Sequence, residues 1–127
     1  MKAIEAIVTD ALMSVTDLSG RVFPMLAPQD DEKGNKVVPP FAVYTVVTDT
    51  ESEDMSGDVG IVDVLLQVDV YSGNLPECKR IAKACRKALR TSEEITCTTE
   101  SSGNGYEDET SLYRNSSDYR ILVESEN

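Results

Sequence analysis

Ile61-Val62-Asp63-Val64-Leu65-Leu66-Gln67-Val68-Asp69-Val70-Tyr71 is the stretch on which the fold turns. Val62, Val64, Leu66, Val68 and Val70 alternate with Asp63, Leu65, Gln67, Asp69 and Tyr71. Side chains on a strand point to opposite faces with period two, so this pattern describes a strand with one buried side. A slip of one residue would bury Asp63, Gln67 and Asp69, so the register is strongly specified.

The next segment changes period. Leu75, Cys78, Ile81, Ala82, Cys85, Ala88 and Leu89 share one arc of a helix running from about Leu75 to Arg90. Asn74 is placed to cap it, Pro76 is tolerated in the first turn, and Glu77 completes an Asn-x-x-Glu variant of the capping box. The opposite arc holds Lys79, Arg80, Lys83, Arg86, Lys87 and Arg90, six of the 12 basic residues in the chain. Six cations and Glu77 give this segment +5, which leaves −16 of the total −11 for the remainder. The chain is therefore expected to be dipolar, with one basic helix on an acidic body.

Upstream, Ile4, Ile7, Val8, Ala11, Leu12, Val15 and Leu18 predict a helix over 3–18, with Gly20 as its stop. Met13 falls on the polar face, either exposed or touching a partner. Arg21-Val22-Phe23 reads as a short extended piece ended by Pro24, and 25–40 reads as irregular. Phe41 to Asp49 is a strand, with Phe41, Val43 and Val47 on one face and Ala42, Tyr44 and Val46 on the other. Thr50 to Gly60 is an acidic loop carrying Glu51, Glu53, Asp54 and Asp58, joining two antiparallel strands. Downstream, three strands are expected at about Ile95–Thr99, Tyr106–Tyr113 and Ser117–Glu124. Ser101-Ser102-Gly103-Asn104-Gly105 reads as a turn and Asn115-Ser116 as a tight connection. The sum is α+β: two helices packed on one face of a mainly antiparallel sheet of five or six strands.

The 127 residues suit a single domain over 1–127, large enough to bury a core without disulfides or metal. Histidine is absent, which removes the commonest general base and metal ligand. Cys78 and Cys85 lie seven apart on one helix, about 10 Å between Cα atoms and beyond the roughly 7 Å limit for a disulfide. They read as small core hydrophobes, Cys97 stands alone in a strand, and the usage fits a reducing cytosol. The acidic loop fails the EF-hand pattern, because Gly57 stands at the ninth position counted from Asp49 and Gly60 at the twelfth. No Gly-rich phosphate loop is present, and the surplus of acid opposes nucleic-acid binding. No apolar run approaches the ~20 residues that span a bilayer. No catalytic residue, cofactor or metal is expected. The five tyrosines all fall in presumed strands, with sheet packing as the default for each.

The order of several blocks resembles the tail completion, or tail terminator, proteins of long-tailed bacteriophages and prophages. They are Ser19-Gly20-Arg21-Val22-Phe23-Pro24, Ala27-Pro28-Gln29, Pro40-Phe41-Ala42-Val43-Tyr44 and Val64 to Tyr71. The helix Ala82 to Leu89, Tyr106-Glu107 and Leu112-Tyr113-Arg114 to Asp118-Tyr119-Arg120 close the set. The resemblance implies an α+β structural protein that caps the head-proximal end of the tail tube as a ring, usually six-fold, and enables head–tail joining. Its implied partners are further copies of itself, with a monomer when free, the tail tube protein and the head connector protein. Neither sequence-specific nucleic-acid binding nor a membrane is implied. The implied place is the virion tail, reached from the host cytoplasm. A head–tail connector or other minor tail component is the alternative, and an acidic inhibitor or DNA mimic is a second. A ring needs a heterologous interface. The basic arc of the second helix is the expected subunit interface, and Glu51, Glu53, Asp54 and Asp58 the expected partner or channel loop.

Overall fold

The computed structural model describes residues 4–24, 38–53 and 60–125. In chain order the elements are helix α1 (Ile4–Met13), a 3₁₀ turn (Thr16–Leu18), β1 (Val22–Pro24), β2 (Phe41–Glu53), β3 (Gly60–Ser72), helix α2 (Leu75–Thr91), β4 (Thr96–Glu107) and β5 (Leu112–Ser125). The five strands form one sheet in the order β1-β2-β3-β5-β4. β1 runs parallel to β2, and every other pairing is antiparallel. The sheet is thus mixed but mainly antiparallel, as the sequence predicts.

β3 is the central strand, and its alternation sets the layers. Val64, Leu66, Val68 and Val70 are buried, with Ala42 and Tyr44 of β2 and Tyr119, Ile121 and Val123 of β5 beside them. α2 covers this face with Cys78, Ile81, Ala82, Cys85 and Leu89, and α1 adds Ile4, Ile7, Val8 and Leu12. Each fully buried aliphatic side chain contributes roughly 1.5–3 kcal/mol through removal of apolar surface from water. Thr9 Oγ1 and the Tyr44 hydroxyl meet at 2.8 Å and tie α1 to β2.

Several boundaries differ from the sequence reading, each for a local reason. α1 ends at Met13, although the apolar pattern continues. The Ser14 hydroxyl donates to the Ala11 carbonyl at 2.6 Å, and the backbone N–H groups of Ser14 and Val15 reach back three residues rather than four. A 3₁₀ turn still buries Val15 and Leu18, so the core pattern survives while the α-helical hydrogen bonding stops. Gly20, at φ 77°, ends that turn beside Ser19 at φ 49°. In β2 a bulge falls between Val46 and Thr48. It leaves Val47 out of the pairing and 49% exposed, so Val47 does not share the sheltered position of Val43. β2 also runs on to Glu53, placing Glu51 and Glu53 in a strand rather than a loop.

The largest correction concerns the C-terminal strands, which are two rather than three. Ser101 to Gly105 lies inside β4, and Asn115-Ser116 lies inside β5. The turn is Asp108 to Ser111, with Ser111 at φ 58°, inside the stretch expected to be a strand. The small polar residues form strand because they pair with one another. Asn115 Nδ2 donates to Asn104 Oδ1 at 2.7 Å, and Ser102 Oγ and Ser117 Oγ meet at 3.0 Å. Cross-strand bonds of this kind offset the low strand propensity of Gly, Asn and Ser. Tyr106 and Tyr113 close the ladder with ring centroids 5.0 Å apart. All five tyrosines do lie in strands, but Tyr106 is 52% exposed.

The three cysteines are free, and Cys78 and Cys85 are buried as expected. The Cys78 thiol donates to the Val70 carbonyl at 3.3 Å. Burial pushes the Cys85 thiol up to about 12 and Cys97 up to about 11, with Arg90 pulling Cys97 the other way. A raised thiol pKa means that the unfolded chain releases its protons first as pH rises. The associated stability is full below pH 9 and is lost between 9 and 12. Urea unfolding is expected to show stability falling over that range and a shallower fall in Cys85→Ala. In the same assay at pH 7, Leu66→Ala should cost about 2–5 kcal/mol, because the site cannot collapse fully. Leu122→Ala, at an exposed position on the other face, should cost less than about 1 kcal/mol.

Candidate functional site

α2 begins where β3 ends, and its start is held by a short polar relay. Asn74 Oδ1 accepts from the Glu77 backbone N–H at 2.7 Å. Ser72 Oγ donates to the Glu77 carboxylate at 2.5 Å and accepts from the Asn74 N–H at 3.3 Å. Ser72 therefore stands between cap and acid, where a simple capping box would join them directly. Thr91 closes the last turn by donating to the Lys87 carbonyl at 2.9 Å. With its apolar arc sealed against β3 and β5, the helix must present its cations outward or to its flanks.

The structure separates the six predicted cations. Lys79, Lys83, Lys87 and Arg90 are exposed. Arg80, also exposed, reaches Asp17 at 3.6 Å and Glu77 at 3.9 Å, spanning to the end of the first helical region. Such exposed pairs contribute less than about 1 kcal/mol. Lys87 lines a shallow trough with Ser14, Val15, Thr16, Asp17, Ala84, Ala88 and Thr91, on the α1 flank. Arg86 and Arg90 lie on the β4 flank. Arg86 is half-buried and near enough to Tyr119 to act on its hydroxyl, while its Nε is buried without an acceptor among the described residues. The basic arc is therefore not uniformly solvated: Arg86 is drawn inward, and five cations remain on the surface. Burial raises the Tyr119 pKa against the opposing pull of Ser117 and Arg86.

Of the predicted acidic loop, Glu51 and Glu53 belong to β2, opposite Val62 and Gly60. Asp54 and Asp58 lie outside the described residues.

A second charged surface, missed in the sequence, is the sheet face that carries no described helix. Asp63, Asp69, Glu100, Glu107 and Asp118 gather there with Arg114 and Arg120. Arg120 pairs with Asp63, Nε to Oδ1 at 3.1 Å. Arg114 lies 3.8 Å from Glu107 and is near enough to Tyr71 to act on its hydroxyl. The Ser101 hydroxyl donates to Asp118 at 2.8 Å, and Asp69 accepts from Gln67 at 3.2 Å and from Ser116. A trough of about 440 Å³ is lined by Thr48, Asp63, Leu65, Glu100, Asp118 and Arg120. Phe23, Phe41 and Tyr71 form an aromatic row at the far end, Phe41 stacked on Tyr71 at 4.9 Å. The period-two acids Asp63 and Asp69 were the available signal. Their neighbours on β4 and β5 were hidden by the misplaced turn.

Among the described residues no group of three or more acid or cysteine side chains is arranged to hold a metal ion. Among the same residues no helix is long and apolar enough to cross a membrane. The surface offers charge complementarity and strand edges.

A chain from a structure titled "Virion of native gene transfer agent (GTA) particle" has the same fold, with a TM-score of 0.69 at 16% sequence identity. The match covers 97% of this chain and 96% of that one. No curated protein matches the sequence significantly. The family model described as "Tail completion protein gp17" matches residues 5–124, nearly the whole chain. The chain therefore belongs to the tail completion protein gp17 family and is a structural protein of a phage tail.

Proposed function

We propose that this protein caps the head-proximal end of the tail tube as a ring of identical subunits and enables the head to join. The observation that carries the reading is the family match across 5–124, over a fold that separates a cationic helix from acidic strands. A ring needs two different patches that meet, and a dipolar subunit supplies them. We read the chain as one domain and the ring as six-fold. The subunit is made in the host cytoplasm and is a monomer when free. Its partners are further copies, the tail tube protein and the head connector protein. Its work is contact rather than catalysis. Lys79, Arg80, Lys83, Lys87 and Arg90 form the cationic half of the subunit interface, with Arg86 bracing the helix from below. The acidic segment carrying Glu51, Glu53, Asp54 and Asp58 supplies the partner charge or faces the channel, where like charge keeps DNA from sticking.

Electron microscopy of a lysate in which the chain is deleted tests the function. Overlong tails detached from heads are expected. Tails of normal length beside unattached heads would assign the chain to the connector instead. Charge reversal tests the interface: Lys83→Glu with Lys87→Glu should weaken ring formation or tail joining while leaving the urea midpoint of the free protein within error. Unchanged assembly would exclude Lys83 and Lys87 from the interface.

A further inference from the structure

The sheet has two long edges, and they are matched in direction, level and charge. β4 is the last strand on one side, and its residues from Thr96 to Glu107 are exposed except for the half-buried Cys97, Thr99 and Glu107. It holds neither Pro nor Lys, the residues that commonly protect an edge from pairing, and its one irregularity is the shift at Glu100 between Thr99 and Ser101. On the other side, β1 pairs with β2 only at Ala42 to Tyr44. From Thr45 to Glu53, no described residue pairs with the outer edge of β2.

Three successive antiparallel pairings, β2 with β3, β3 with β5 and β5 with β4, make β2 and β4 run in opposite directions. A copy related by rotation about an axis along the strands keeps its strand directions. It therefore presents β2 antiparallel to β4 without being turned over. The levels agree as well. One row across the sheet runs Thr50, Asp63, Leu122, Thr96. Continuing that row past β4 sets the next copy's Thr50 beside Thr96.

Charge then distinguishes the two faces of such a joint. The far half of β2 reads Thr48-Asp49-Thr50-Glu51-Ser52-Glu53, with an acid at every second position. Asp49, Glu51 and Glu53 stand opposite Val64, Val62 and Gly60, register positions of the helix-covered face. On that face, beside β4, lies the C-terminal half of α2. Arg90 is near enough to act on Cys97 of β4, and Arg86 on Tyr119, which stands opposite Thr99 of β4. In this register the position of Asp49 falls beside Cys97 and that of Glu51 beside Ile95, on the face and at the end of β4 where Arg90 stands, while Glu53 falls past the start of β4.

We propose that β4 of one copy takes the far half of β2 of the next copy as an added antiparallel strand, with the positions of Asp49 and Glu51 at the level of the cationic C-terminal end of α2. Main-chain hydrogen bonds supply affinity, and the charges set register and exclude the reversed pairing. The inference rests on the ring reading and names its joint.

Hydrogen exchange on free protein and on purified tails provides the test. Alternate amides of Thr96–Ser101, those not bonded to β5, should exchange at least about tenfold more slowly in tails. Arg90→Glu and Glu51→Arg should each lower the chain's recovery in tails by about tenfold or more, and the double variant should restore it to within about twofold, because every joint in a ring of identical subunits then regains its opposite charges. Equal exchange of β4 in both states, or a double variant no better than the single ones, overturns the proposal. If a variant fails to fold, exchange on the wild-type chain decides alone. A chain present in tails with β4 unprotected refutes this joint only. A chain absent from tails refutes the ring reading together with it.

Discussion

Everything in this fold depends on the burial of one side of β3. Val64, Leu66, Val68 and Val70 enter the core, while Asp63, Gln67 and Asp69 stay on the other face. The alternative register would place two carboxylates in the core, at a cost of several kcal/mol each even after relaxation. Because that alternative is closed, the neighbours follow. β2 and β5 must offer apolar positions at the same levels, which they do through Ala42, Tyr44, Tyr119 and Ile121. α2 must then cover the row they form.

The same constraint produces the charge asymmetry. A helix whose apolar arc is sealed against a sheet has only its outer arc and flanks for polar residues, and here these hold cations. The sheet's other face, with no described helix on it, carries the acids of the period-two pattern. The helix cations and the acids Asp63 and Asp69 thus arise on opposite layers from one packing decision. Interaction within the subunit uses little of this charge: Arg80 with Asp17 and Arg120 with Asp63 are exposed pairs. The remainder lies on the surface, where a structural tail protein meets its neighbours.

Where the sequence reading missed, tertiary pairing outweighed local preference. Ser101 to Gly105 has turn chemistry residue by residue, yet Ser102 and Asn104 find Ser117 and Asn115 across the ladder. Nothing in a single strand's composition announces its partner's. Ser14 ended α1 early through one side-chain bond, a competition invisible to apolar spacing. Arg86 comes to lie beside Tyr119 of β5, a neighbour that helical spacing does not announce.

The sequence by itself determined the fold class, the capped second helix with its cationic arc, the buried cysteines and the central strand's register. Each depends on periodicity or on neighbours within a few positions, so the information is local. Only the tertiary structure decided the order β1-β2-β3-β5-β4, the length of the β4–β5 hairpin, the acidic outer face and the level at which β2 and β4 stand. Those depend on which strand lies beside which, a choice made by hydrogen bonds and packing between residues far apart in the chain.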